Sequence, residues 1–191
     1  YVVSVPAMTG ETPVLDAARL MLREKKGLLP VIESEEKPVL KGVVSLLDIF
    51  MNIDLERIPE KQVSEIMTTK VVTTRPDDHI TRIWDLMIEK DFTGLPVVKD
   101  DRTIGMITRF DMLKGTARIG KESERRPSDS MQMPVEKFMS TPLYSVEPED
   151  SVRSVIELML KHSVGRMSVV DDGMLVGIVD RNDLIKCYLG E

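Results

Sequence analysis

The feature that most constrains this chain is an internal repeat. Residues 63–114 match residues 135–186 without a gap, so that Val63 falls on Val135, Met67 on Met139, Pro76 on Pro148 and Met87 on Met159. Further along, Gly105 falls on Gly177, Arg109 on Arg181 and Asp111 on Asp183. A third copy lies upstream with small insertions: Met21 matches Met87, Pro30-Val31 matches Pro96-Val97, and Gly42 to Asp48 matches Gly105 to Asp111. Self-similarity on this scale means that each copy is one supersecondary unit, too small to bury its apolar face alone.

Each copy reads the same way. In the middle copy, Lys70–Thr74 is a short β-branched run closed by Arg-Pro, which predicts a strand and a turn. Over residues 78–90, Ile80, Ile83, Trp84, Met87 and Ile88 recur at helical spacing, so one face is buried. Gly94–Val98 and Thr103–Ile107 are apolar strands joined by the turn Lys99-Asp-Asp-Arg102, and a second helix opens at Thr108. The fold class is therefore α+β, a β-α-β-β-α unit used three times. The boundaries are residues 1–52, 63–114 and 135–189, with a polar linker over 115–134 and a shorter one ending in Pro-Glu-Lys-Gln62.

Composition narrows the function. The net charge of −6 and only eight aromatic residues argue against a nucleic-acid binder, which needs a basic face or stacking platforms. The basic residues Arg118, Lys121, Arg125 and Arg126 are interleaved with Glu122, Glu124 and Asp129, the pattern of a solvated linker. No apolar run reaches the roughly 18 residues that a membrane helix needs, and the beginning of the sequence has no signal-peptide pattern. With one cysteine, Cys187, the expectation is a cytoplasmic protein in a reducing compartment. Catalysis finds little footing: His79 and His162 occupy non-equivalent places, no metal-ligand spacing exists, and there is no phosphate-cradling glycine motif. The 13 methionines fall largely on repeat-core positions such as Met21, Met87 and Met159, as adaptable packing.

The ordered set Val-x-x-x-Met, strand-Pro, helix, apolar-Pro-Val strand and Gly-φ-φ-[Ser/Thr]-x-x-Asp resembles the cystathionine β-synthase (CBS) domain. All three copies show it. The first and third look most like the γ subunit of AMP-activated protein kinase and its stand-alone archaeal relatives. The resemblance implies that two copies pair through their sheets into a Bateman module with adenosine ligands in the clefts. It implies a regulatory ligand such as AMP, ADP or ATP, with S-adenosylmethionine or NAD as further candidates, and a protein effector on another chain or segment. By the same resemblance the motif Asp accepts from ribose hydroxyls, the Ser or Thr sits at phosphate, and the apolar residue after Gly touches adenine. The candidates are then Val43, Ser45 and Asp48; Met106, Thr108 and Asp111; and Ile178 and Asp183. Arg166 matches a phosphate-binding position, and Thr12 and Ala17 match positions lining an adenosine cleft.

The same residues also read as helix caps. Ser45-x-x-Asp48, Thr108-x-x-Asp111 and Asp180-x-x-Asp183 are N-cap patterns with an acid at the third helical position. Asp180 departs from the family pattern, and its charge repels phosphate unless Arg166 offsets it. Three copies also leave one without a partner. Either repeats two and three pair and repeat one belongs with an upstream copy, or repeats one and two pair and repeat three seeks a second chain. Both arrangements predict self-association, as a homodimer through these modules, because an unpaired copy exposes an apolar sheet face.

Overall fold

The computed structural model describes residues 6–122 and 132–191, with the backbone alone for 116–122. Repeats one and three form their helices and strands in the expected order, and repeat two does so from its first helix onward. Repeat one comprises β1 (Met8–Thr9), α1 (Val14–Arg23), β2 (Leu28–Ile32), β3 (Leu40–Ser45) and α2 (Leu46–Asn52). Repeat two comprises α3 (Ile80–Glu89), β4 (Gly94–Lys99), β5 (Arg102–Thr108) and α4 (Arg109–Glu122). Repeat three comprises β6 (Ser145–Val146), α5 (Val152–His162), β7 (Arg166–Asp171), β8 (Met174–Asp180) and α6 (Arg181–Leu189). The helical periodicity is realised: α3 buries Ile80, Ile83 and Met87, and α5 buries Val152, Val155, Ile156 and Met159.

Two compact units emerge. One contains residues 1–66, 149–166 and 179–191, and the other 67–148 and 167–178. In the first, the sheet runs β1-β2-β3, with β3 on the edge, and the helices α1 and α2 contact α6 and α5 respectively. Its core includes Ala18, Met21, Leu29, Leu184 and Ile185, together with the thiol-bearing Cys187, which is only 3% exposed. In the second unit, the helix α3 packs Ile80, Ile83 and Met87 against Leu95, Val97, Ile107, Met112, Val135 and Phe138. A five-stranded sheet runs β4-β5-β8-β7-β6, so strands of repeats two and three share it, joined at Arg102–Met174. The β4–β5 hairpin turns on Asp100 and Asp101, both at positive φ, the geometry that matches the twist of paired strands.

Two sequence expectations change. Lys70–Thr74 is not a strand: only Thr74 bridges to Val97, because the Asp78 carboxylate accepts from Thr74 Oγ1 and Arg75 N–H at 2.8 Å and closes the turn at once. The expected linker is helical at its start, since α4 continues to Glu122. Gly115, read as the linker's first residue, is instead a close approach in which the Phe138 ring fills the place of a Cβ. The rest of the charged run, including Glu124, Arg125, Arg126 and Asp129, lies outside the described residues, as do the side chains of Arg118, Lys121 and Glu122.

The leading Val-x-x-x-Met segments do more than precede their repeats. In the second unit, Ser140 and Met106 exchange two backbone hydrogen bonds, at 2.8 and 3.3 Å, beside Gly105. A Cβ on Gly105 would stand 2.9 Å from the Ser140 carbonyl and 3.3 Å from Met139 Sδ. Reciprocally, Thr68 and Ile178 exchange two bonds of 2.9 Å, and Met67 Sδ would lie 2.5 Å from a Cβ on Gly177. Each leader thus crosses to the other repeat's glycine. No described residue comes within 4 Å of that position at Gly42.

These contacts give an internal control. Gly105→Ala is expected to cost about 1–3 kcal/mol, because backbone must shift to admit the methyl. Gly42→Ala is expected to be neutral or slightly stabilising. Urea unfolding of both variants beside the parent chain measures the difference.

Candidate functional site

The three Gly-φ-φ-x-x-x-Asp motifs each bring a strand end onto the start of a helix. In repeat one, Ser45 caps α2: its Oγ donates to Asp48 Oδ2 at 2.6 Å, and its N–H donates to the same oxygen at 2.8 Å. Those bonds, the hydroxyl's first, hold the Asp48 carboxyl below its ordinary range. Val43, two residues before the cap, is 58% exposed. Thr12 Oγ1 accepts from the Thr9 N–H at 3.2 Å, while Ala17 is buried on the inner face of α1. Both therefore already serve local structure, and neither is hydrogen-bonded to the Ser45–Asp48 pair.

In repeat two the motif is more enclosed. Thr108 Oγ1 donates to Asp111 Oδ2 at 2.5 Å, its N–H donates there at 2.9 Å, and Asp111 N–H returns a bond to Oγ1 at 3.1 Å. The other carboxylate oxygen accepts from Ser140 Oγ at 3.0 Å. Met106, half-buried, lies two residues upstream on the strand that the leader crosses. Met106, Thr108, Asp111 and Ser140 therefore form one cluster. Sequence reasoning did not select Ser140; the signal was the Ser or Thr that follows the leader methionine in both copies, Thr68 and Ser140.

Repeat three is chemically different. Asp180 takes the cap position and accepts from the N–H groups of Asn182 and Asp183, at 2.8 and 3.3 Å. Its own N–H donates to Asp183 Oδ2 at 2.9 Å. Arg166 forms an ion pair with Asp180 at 3.2 Å, so the offset that the sequence called for exists as a contact. Burial first, then the Asp180 charge, pushes the Asp183 carboxyl up to about 6. Ile178, half-buried on β8, is bridged to Thr68.

Two further residues explain themselves as structure. Arg109 donates to the Met87 carbonyl and pairs with Asp91 at 3.3 Å, and Arg181 donates to the Val164 carbonyl at 3.1 Å. Both guanidinium groups tie a helix start to the chain at the end of the preceding helix, and burial holds the Arg181 group below its usual range. His79 Nδ1 lies 2.8 Å from the Gln132 carbonyl. Among the described residues no group of His, Cys, Asp and Glu is arranged to hold a metal ion, and no helix is long and apolar enough to cross a membrane.

This architecture has a family. The CBS domain pattern matches residues 3–54, 63–117 and 135–190, and the chain belongs to the CBS domain family. It is 31% identical over 183 residues to the uncharacterised protein MJ1404 of Methanocaldococcus jannaschii, a match covering 92% of this chain and 43% of that one. The chain thus spans less than half of that relative. Among solved structures, MJ1225 of the same organism, described as a candidate archaeal homologue of γ-AMPK, superposes with a TM-score of 0.85 at 20% identity, over 97% of this chain and 67% of that chain. CBSX2 in complex with AMP gives 0.58 at 27% identity, over 68% of this chain and 96% of its own. The CBS domain pair of MJ0100, in complex with 5′-methylthioadenosine and S-adenosyl-L-methionine, gives 0.59 at 23% identity, over 69% and 98%.

The raised Asp183 group sets a pH dependence. The folded state keeps this proton to a higher pH than the unfolded chain, so its contribution is full below about pH 4 and is lost as the pH rises through 6. The carboxyl is partly solvated, which reduces the effect to about 1 kcal/mol. Between pH 4.5 and 7 the parent chain should lose about that much stability relative to Asp183→Asn, measured by urea unfolding at each pH.

Proposed function

We propose that this chain is a regulatory module without catalytic activity that binds adenosine ligands at its strand-end/helix-start motifs. The observation that carries the reading is the cluster in repeat two. A carboxylate, Asp111, sits one turn into a helix, beside a hydroxyl at the helix start and an apolar residue on the adjoining strand. A carboxylate so placed accepts from vicinal ribose hydroxyls through charge-assisted bonds, and a helix start offers N–H groups to phosphate. The AMP bound by CBSX2 and the adenosine compounds bound by MJ0100 support the ligand class. Regulation follows if the ligand has different affinities for two states of the module, which an effector then reads.

The repeats divide by charge. Ser45 and Thr108 suit a phosphorylated ligand such as AMP, ADP or ATP, although each hydroxyl must turn from its acid to donate to the phosphate. In repeat three the carboxylate of Asp180 occupies that place, paired with Arg166. That motif favours a ligand without phosphate there, of the S-adenosylmethionine kind, over a nucleotide. A second reading, a structural pairing module with no ligand, is favoured by the capping bonds completed in all three motifs.

Thermal unfolding with AMP, ADP, ATP, NAD and S-adenosylmethionine separates the readings. A ligand at about 100 times its Kd adds about 2.7 kcal/mol, and the structural reading predicts no shift with any of them. Asp111→Ala should weaken the best nucleotide about ten-fold in a calorimetric titration; unchanged affinity would remove Asp111 from the site. Asp180→Ser should strengthen nucleotide binding at repeat three and leave affinity for adenosine itself nearly constant.

A further inference from the structure

The methionines of this chain divide by burial and by what their sulfur touches. Met8, Met21, Met87, Met112, Met159 and Met167 are exposed by 6% or less and lie in the core. Met51 and Met174, at 66% and 52%, face solvent, so oxidation there removes little packing. Met67 and Met139 belong to neither class. Each is partly exposed, and each lays its Sδ over a glycine: a Cβ on Gly177 would stand 2.5 Å from Met67 Sδ, and one on Gly105 3.3 Å from Met139 Sδ. The residue after each methionine makes the paired backbone bonds, Thr68 with Ile178 and Ser140 with Met106. The single thiol, on Cys187, is only 3% exposed, so thioether sulfur is what an oxidant meets in the folded chain.

We propose that Met67 and Met139 are reversible modification sites, at which a hydroperoxide converts the leader thioether to a sulfoxide and loosens the leader from its glycine. The sulfur lone pair attacks the outer peroxide oxygen, and an S–O bond forms as the O–O bond breaks. The proton on the transferred oxygen passes to the departing oxygen, which leaves as water or an alcohol. Sulfur is oxidised by two electrons and the peroxide reduced by two. The product is bulkier and polar where the thioether was slender and apolar. Each leader sulfur fills space that a Cβ would take, so the new oxygen brings volume and an unmet hydrogen-bond acceptor into that contact. The paired bonds of Thr68 or Ser140 weaken with it. In repeat two the loosened leader also draws Ser140 Oγ from Asp111 Oδ1, now 3.0 Å away, so the modification reaches the candidate site without altering its residues. The inference does not depend on any adenosine ligand.

The test treats the 191-residue chain with hydrogen peroxide at a dose that fully oxidises Met51 and Met174, locates each sulfoxide by peptide mass spectrometry, and follows the thermal midpoint. Sulfoxides at Met67 and Met139 are expected, with a fall in midpoint of about 5 °C or more. The double variant Met67→Leu/Met139→Leu, which keeps volume and apolar character without sulfur, should hold its own midpoint through the same treatment. A second readout needs no variant. Methionine sulfoxide reductases of both stereospecificities, with a thiol reductant, should restore the parent's midpoint in step with the loss of the two leader sulfoxides. Leader sulfurs left unoxidised at that dose overturn the proposal, as do leader sulfoxides with an unchanged midpoint. An equal fall in the double variant, or a recovery that follows sulfoxides elsewhere in the chain, also overturns it, because other methionines would then be responsible. No recovery as the leader sulfoxides are removed overturns it as well.

Discussion

Two glycines and the methionines laid across them hold the second unit together. A Cβ at residue 105 would stand 2.9 Å from the Ser140 carbonyl and one at residue 177 would stand 2.5 Å from Met67 Sδ, so the leaders cross as closely as they do, beside their paired backbone bonds, because both residues are glycine. Glycine in a strand is ordinarily a loss, with maximal chain entropy and nothing to pack. Here the loss is offset by sulfur and methylene contacts and by four backbone bonds that a lone repeat has no means to make. The consequence reaches the candidate site directly. Ser140, which follows the crossing methionine, is carried to the free oxygen of Asp111, so the acid is oriented by its own helix and by the neighbouring repeat at once.

The three helix starts show how one backbone device can carry different electrostatics. In each, an acid at the third helical position accepts from the capping residue's N–H, so the geometry is set before any ligand arrives. What varies is the capping side chain. A hydroxyl donates to the acid and lowers its proton affinity, as at Asp48. A carboxylate at the cap instead sets a second negative group beside the acid: Arg166 pairs with it, and its charge adds to the burial that raises the Asp183 group. The same turn of backbone thus presents two carboxylates capped by a hydroxyl and one motif built on an Asp–Arg charge pair.

Much of this was legible in the sequence for a definite reason. The 72-residue offset between repeats two and three aligns buried residues such as Val63 with Val135, Ile80 with Val152, Ile83 with Val155 and Met87 with Met159, and helical spacing in Ile80, Ile83 and Met87 follows from the need to cover one sheet face. The caps were equally legible, because Ser, Thr and Asp at a strand–helix junction have few other local uses. The leader crossing was not. Val-x-x-x-Met looks like any short apolar motif until its methionine is seen over a glycine more than thirty residues away in the chain. The extension of α4 past Gly115 was hidden for a related reason: glycine signals a break by propensity, whereas here it makes room for Phe138. Arg109 and Arg181 matched in sequence, but only their carbonyl partners show them to be ties between a helix start and the preceding helix end.

Cys187 has its own consequence. The thiol is enclosed on α6, and burial raises its proton affinity, so the reactive thiolate is scarce in the folded chain. A soluble alkylating reagent can reach it only when the helix pulls away from its neighbours. Because the sequence holds one cysteine, the labelling rate becomes a clock with a single hand. It counts openings of the first unit, and comparing that count with global unfolding distinguishes local fraying of α6 from loss of the whole fold.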